Sequence, residues 1–284
     1  MTNKKLKSSP NLIGISGKMG SGSKDFTASI IQFWLWKSKV ESAQNTSIHY
    51  TIKDFINNSS IAENLSGWEI RRFADKLKDM VCMLIGCTRE QLEDREFKEK
   101  ELGEEWWYYK GRNGSLIPFN DDSKRSSEDL IKLTPRLLMQ LLGTECGRQI
   151  LHPNVWVNAL MNDYKPTLEH QKDLFDLPNV EIPDAEQTTW IQQQYPNWII
   201  PDVRFPNELK AVKDRAGITI RVNRPDYVEN SITGEKFPVK IHRKEHLSET
   251  SLDNAEFDYI IDNSGTIADL EDKVLEILKK ERIC

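Results

Sequence analysis

The sequence predicts an α/β fold, a doubly wound parallel sheet of about five strands with polar or helical insertions. Three observations predict it. Residues 13–28, IGISGKMGSGSKDFTA, run from a short apolar strand through a turn rich in glycine, serine and lysine into a helical repeat. Residues 198–222 give a buried strand, a helix and a second buried strand in succession, which implies a right-handed parallel crossover. The remaining apolar runs are short, bounded by turn residues and separated by stretches of helical periodicity.

The elements follow in order. Residues 26–40 carry Ile30, Ile31, Phe33 and Trp34 at helical spacing, which describes a helix packing back on the sheet. Residues 42–66 are rich in Asn and Ser and read as an insertion, and 68–73 form a second strand. Helical periodicity returns over 75–85, with Leu77, Val81 and Leu84 on one face and Gly86 as the stop. Residues 99–130 form a charged insertion around the run Trp106, Trp107, Tyr108 and Tyr109, with a loop or hairpin over 111–127. Thr134 is the expected N-cap of a helix with Pro135 at its first position and Leu138, Leu141 and Leu142 along it. Residues 163–197 form a polar insertion, 198–201 a strand, 207–216 a helix and 218–222 a strand. A last strand over 257–261, a turn over 262–265 and an amphipathic helix over 267–278 close the chain. The organisation expected is a single domain, 1–284, with insertions at 42–66, 99–130 and 163–197. Arg224 and the basic run at 240–244 suggest a lid over 224–250.

Composition excludes several function classes. A net charge of −5 gives no blanket basic surface, so direct nucleic-acid binding is not expected. Cys82, Cys87, Cys146 and Cys284 form no C-x-x-C pair and read as reduced thiols. The basic N-terminus leads into a strand too short for a signal core or a spanning helix, so a cytoplasmic protein with no membrane partner is expected. His152 and His246 lack companions at ligand spacing, so no metal site of protein ligands alone is assigned.

The turn after the first strand has the chemistry of a phosphate cradle. Gly17, Gly20 and Gly22 let the backbone bend tightly and aim N–H groups at an anion, while the helix that follows presents its positive end. Ser21 completes the cradle, and Lys24 stands where an ammonium reaches the outer phosphates. The pattern G-x-x-x-x-G-K-[ST] is missed by one step, because Ser23 holds the lysine position. The magnesium-binding hydroxyl is then either Ser23 or Thr27.

Three further segments place polar groups after strands or at helix starts: 73–78 (FADKLK), 134–144 (TPRLLMQLLGT) and 201–208 (PDVRFPNE). Arg136 and Arg204 are the candidates to clamp an acceptor phosphate, since a guanidinium offers paired donors at any working pH. Asp202 orients Arg204, orients a magnesium water, or forms a strand-end ion pair. On composition alone Lys78 is a solvated helix face and Trp156 a core aromatic.

Taken together the segments ISGKMGSGSKDFTA, RRFADKLKDMV, GCTREQLEDREFKE, TPRLLMQLLGTECGR, HPNVWVNAL, PDVRFPNELKAVKDRAG, IRVNRP and FDYIIDNSGTI resemble the deoxynucleoside monophosphate kinases of tailed bacteriophages. These are a branch of the P-loop nucleoside monophosphate kinases, and the resemblance spans most of the chain. It implies transfer of the ATP γ-phosphoryl group to a deoxynucleoside monophosphate, with ATP and Mg2+ as cosubstrate and cofactor, in the host cytoplasm. Carried over by position, Gly22, Lys24, Asp25 and Thr27 would serve ATP, Lys18 would face both phosphates, and Asn263 would lie near the ATP base. Leu77, Lys78, Arg136, Gly143, Thr144, Trp156, Asp202, Arg204 and Glu208 would line the acceptor site. Lys18, Lys24, Arg136 and Arg204 would carry catalysis, which in phosphoryl transfer is positioning plus charge stabilisation. Relatives have no residue between the last loop glycine and the lysine, so Ser23 must bulge the loop or shift the helix start. The competing readings are a nucleotide-binding module that transfers nothing and another P-loop kinase such as a dephospho-CoA kinase. The aromatic run at 106–109 serves as a lid, a partner surface or a homodimer contact.

Overall fold

A strand sits at the centre of a sheet when both of its faces are apolar or tightly packed, and Leu12–Ser16 (β1) is buried at every position. The computed structural model describes residues 10–18, 23–43, 49–111, 114–119, 130–168, 193–224, 226–229, 236–239 and 250–284. Two compact units make up the chain. One comprises Met1–Arg72 and Met161–Cys284, the other Phe73–Leu160.

In the first unit, β1 leads to α1 (Ser23–Ser42), α2 (Ile52–Asn57), α3 (Ser59–Ser66) and the short strand β2 (Glu69–Ile70). The chain leaves this unit through α4 (Asp75–Ile85), α5 (Arg89–Glu93), α6 (Arg95–Glu99), β3 (Tyr108–Lys110), β4 (Leu116–Pro118) and β5 (Leu130–Ile131). Next come α7 (Pro135–Gln140), a π-helical stretch (Leu141–Leu151) and α8 (Val155–Met161). Back in the first unit are β6 (Thr167–Leu168), β7 (Gln193–Gln194), β8 (Trp198–Ile200), α9 (Pro206–Lys213), β9 (Ile218–Asn223), β10 (Asp226–Glu229), β11 (Lys236–Val239), β12 (Tyr259–Asp262) and α10 (Ile267–Lys280).

The main sheet has the order β12-β9-β1-β8-β2, and every pair in it is parallel. The predicted doubly wound α/β architecture is therefore present. Ile13 and Ile15 of β1 pack in one core with Ile30, Ile31 and Leu35 of α1 and with Leu270, Val274 and Leu278 of α10. The opposite face receives α9 so closely that a Cβ on Gly14 would lie 3.0 Å from Val212 Cγ2, which is why β1 has a glycine there.

Within 42–66, read from composition as a polar insertion, residues 52–66 fold as two helices against α1. Asp54 accepts from the Thr51 N–H at 2.6 Å to start α2, and Asn58 Oδ1 accepts from the Ile61 N–H at 3.0 Å to start α3. The polar residues are caps, and Phe55 and Ala62 bury against Phe33 and Trp36 of α1.

In the second unit, Leu77, Val81, Leu92, Leu133, Leu138 and Trp156 form the core. Thr134 Oγ1 accepts from the Leu137 N–H at 3.2 Å with Pro135 at the first helical position, as the sequence indicated. Gly86 ends α4 in the left-handed region at φ 66°, again as expected. β3 pairs antiparallel with β4 and β5, so the aromatic run ends in a small three-stranded sheet; most of 111–127, read as a loop or hairpin, lies outside the described residues. Most of 163–197 and of 224–250 lies outside the described residues, which retain there the antiparallel pairs β6–β7 and β10–β11.

Candidate functional site

All strands of the main sheet are parallel, so their carboxyl ends share one edge, the edge at which such sheets take ligands. Ser16 ends β1, and Gly17 and Lys18 begin the loop toward α1. Gly20, Ser21 and Gly22 lie outside the described residues. Helix α1 starts at Ser23 and runs unbroken to Ser42, so Ser23 enters the helix and Lys24 is its second residue. Thr27 is completely buried. Asp25, exposed in the first turn where a helix favours negative charge, accepts from Arg72 Nη2 at 2.7 Å.

The turn after β8 is tied to the same edge. Val203 N–H donates to Ile15 O at 3.2 Å, which sets Asp202 and Arg204 beside the end of β1. Both side chains are half-buried. Glu208 is buried, and its Oε2 accepts from the N–H groups of Arg204 at 2.8 Å and Phe205 at 3.0 Å, capping α9. Asn263 follows β12 at the same edge, its N–H donating to Asn223 O at 2.7 Å.

Two residues that sequence reasoning missed complete this edge. Arg221, in β9, is 10% exposed at its side chain and donates from Nη1 to Ser16 Oγ at 3.0 Å and from Nη2 to Asp253 Oδ1 at 3.2 Å. Lys18 Nζ lies 3.7 Å from the other oxygen of Asp253, so one carboxylate is shared by a buried guanidinium and a loop ammonium. A permanently charged guanidinium below the loop start adds positive potential where phosphates would gather. The signal for Arg221 was its charge inside the otherwise apolar strand ITIRV; Asp253 carried no local signal.

In the second unit the acceptor candidates fall into two groups. Leu77, Gly143 and Trp156 meet in the core: Trp156 Nε1 donates to Gly143 O at 2.9 Å, and a Cβ on Gly143 would lie 3.1 Å from Leu77 Cδ2. Trp156 is thus a packed and satisfied core aromatic. Thr144 is half-buried on the π-helical stretch. Lys78 and Arg136 instead bind internal carboxylates. Lys78 Nζ donates to Glu93 Oε1 at 2.5 Å, and Arg136 Nε donates to Glu99 Oε1. Burial pushes the Glu93 carboxyl up, but the hydrogen bond and charge of Lys78 and the charge of Lys98 outweigh it and hold the group below its ordinary value.

The π-helical stretch has its own geometric requirement. Gly143 O accepts from Arg148 Nη1 at 2.8 Å as well as from Trp156, and a Cβ on Gly147 would lie 2.5 Å from Leu142 O and 3.0 Å from the Trp156 ring. A Cβ that close to a backbone oxygen has no room, so only glycine fits at 147.

Among the described residues no group of three or more His, Cys, Asp or Glu is placed to hold a metal ion. No helix among them is long and apolar enough to cross a membrane. No protein-family model matches the chain. The chain is similar to the deoxynucleoside-5'-monophosphate kinase of Escherichia phage T5, with 24% identity over 271 residues that cover 85% of this chain and 84% of that protein.

Proposed function

We propose that this protein transfers the γ-phosphoryl group of ATP to a deoxynucleoside monophosphate, giving ADP and the deoxynucleoside diphosphate. The observation that carries the reading is the strand, glycine-rich loop and helix running from Leu12 to Ser42, with its strand at the centre of an all-parallel sheet. The similarity to the phage T5 kinase along most of both chains supports the choice of acceptor. In this reading Lys24 and Lys18 bind ATP phosphates, while Arg136, Arg204 and Lys78 receive the acceptor phosphate and the charge of the transferring group. Gly17, Gly20, Ser21 and Gly22 form the cradle, Asp25 serves its helix end, and Asn263 serves the base. Leu77, Gly143 and Trp156 act as the packed floor behind Lys78 and Thr144. Asp202 orients Arg204, and Glu208 fixes the turn that carries both.

Glu93 and Glu99 then have a defined part. They hold Lys78 and Arg136 by charge-assisted hydrogen bonds, and an arriving phosphate displaces them. The hydroxyl that would serve the magnesium accompanying ATP comes from Ser23, the first residue of α1, or from Thr27, which is fully buried. That ion supplies neutralisation of the phosphate oxygens. The protein acts on nucleotides alone, without nucleic acid or membrane, in the cytoplasm of the cell that makes it.

A nucleotide-binding module without transfer is the second reading. It is favoured by Ser23 standing where the G-x-x-x-x-G-K-[ST] spacing places lysine. Both are tested by ADP formation from Mg-ATP with each of the four deoxynucleoside monophosphates, with dephospho-CoA and no acceptor as controls. Turnover that requires a deoxynucleotide and falls at least roughly a hundredfold in Lys24→Ala supports the kinase. ATP binding without turnover selects the module, and turnover with dephospho-CoA alone reassigns the acceptor.

A further inference from the structure

The C-terminal end of α4 carries chemistry that phosphoryl transfer does not use. Gly86 turns into the left-handed region at φ 66° and donates its N–H to Cys82 O. Cys87, one residue further, donates its N–H to the same carbonyl at 3.1 Å. A bond from the second residue past the helix back to this carbonyl is the Schellman closure, which brings the two side chains flanking the turn into contact, usually as an apolar pair. Here both of those residues are cysteine, and their Sγ atoms lie 3.8 Å apart as free, partly exposed thiols.

We propose that Cys82 and Cys87 are a reversible dithiol–disulfide pair, a modification site whose closure fastens the corner between α4 and α5. The sulfurs must approach from 3.8 Å to about 2.05 Å, a change within reach of side-chain rotation because the backbone turn already holds the two residues together. The oxidant is a low-molecular-weight disulfide. The Cys87 thiolate attacks one of its sulfurs, forming a mixed disulfide and releasing one thiolate. The Cys82 thiolate then attacks the Cys87 sulfur, forming the intramolecular bond and releasing the second thiolate. The two protons lost by the cysteines end on the two released thiols, so the protein gives up two electrons and the small disulfide takes them. Burial, and after it the contact with Cys87, pushes the Cys82 thiol up, which lowers its thiolate fraction for the first attack on the small disulfide.

The corner so fastened is a charged junction. Arg89, the first residue of α5, binds Asp75 and Asp79 of α4, each at 3.0 Å. Lys78 of α4 binds Glu93 of α5. A bond across Gly86 therefore restrains the helix that presents Lys78. Reversible disulfides in reducing compartments are characteristically transient and redox-sensing, and a six-residue ring closed on a preformed turn fits that behaviour.

The test uses the full chain with Cys146→Ser and Cys284→Ser, equilibrated in mixtures of oxidised and reduced glutathione, then alkylated and digested with trypsin. Cleavage after Lys78 and Arg89 leaves both remaining cysteines in one peptide, residues 79–89. The expected result is that peptide lighter by two hydrogens and without alkyl groups, restored to a doubly alkylated form by dithiothreitol. Closure in the folded chain should exceed closure in a synthetic 79–89 peptide by roughly tenfold or more. Amide exchange of Cys87 should slow several-fold on oxidation. Glutathione or alkyl adducts in place of the internal bond, equal closure in chain and peptide, or unchanged exchange in the oxidised chain would each overturn the proposal.

Discussion

Arg221 and Ser16 face one another at a single register position of neighbouring parallel strands, and the guanidinium donates to the hydroxyl at 3.0 Å. The same guanidinium binds Asp253, so Arg221→Met takes the donor from a buried hydroxyl and one of two cations from a carboxylate that keeps Lys18. Urea denaturation should show a loss of about 2 kcal/mol, the scale of a buried hydrogen bond to a charged group. A change below about 0.5 kcal/mol would mean that the strand ends are satisfied without Arg221.

Arg136 is held by Glu99 with both side chains partly in solvent. An exposed pair of this kind is worth at most about 1 kcal/mol, so releasing the arginine should have a modest effect in a defined direction. In the kinase reading Glu99→Gln lowers the acceptor KM by roughly two- to fivefold, while Arg136→Ala raises it. Steady-state kinetics with both variants checks this, and a rise in KM for Glu99→Gln would assign the carboxylate to substrate binding instead.

Glu93 gathers Lys78 at 2.5 Å, Lys98 at 3.4 Å and Arg89 at 3.7 Å. Burial opposes its ionisation, but the Lys78 hydrogen bond and the lysine charges prevail and its folded-state value lies below the ordinary 4.5. A group depressed on folding contributes stability above its unfolded value and loses it as pH falls through the folded one. Wild type should therefore lose stability more steeply than Glu93→Gln as pH drops below about 4.5, measured by denaturant titration at each pH. Parallel curves would show that the hub adds nothing.

Gly147→Ala should cost about 1–3 kcal/mol, because the added methyl meets a carbonyl oxygen and an indole that are both packed. Thermal and urea unfolding measure it. A neutral result would require the helix to give up its π geometry, visible as a shift in the Trp156 indole N–H resonance.

What could be read from the sequence was local. Thr134 with Pro135, and Gly86 after Ile85, announce a helix start and stop because capping chemistry acts within a few residues. The central strands were legible from short apolar runs, and the parallel order followed from alternating strands and helices. Residues 51–66 were not, since Thr51 and Asn58 cap helices there that only Phe33 and Trp36 of α1 stabilise. The π-helical stretch escaped because its period differs from the 3.6 residues sought, and the shape of Trp156 against Gly147 is visible only once both are placed. Arg221 and Asp253 meet across thirty-two positions, a tertiary pairing with no local pattern. The sequence places Lys18 in the loop after the first strand and Asp202 and Arg204 after a later one, and Val203 N–H bonded to Ile15 O is the tertiary link that sets the last two at the end of β1.

The position of β1 governs when this protein can fold. Both of its neighbours, β8 and β9, come from the distant part of the chain, beginning with Leu12 opposite Trp198. A nascent chain leaving the ribosome therefore exposes its first apolar strand with no partner until Trp198–Ile200 have been synthesised, and without its second neighbour until Asn223 has been. Pairings this remote close slowly, and the unpaired strand is an aggregation hazard while it waits. Assembly of the sheet is thus a late event in synthesis, and an arrested or truncated chain ending before Trp198 is left as a chaperone substrate with its central strand unprotected.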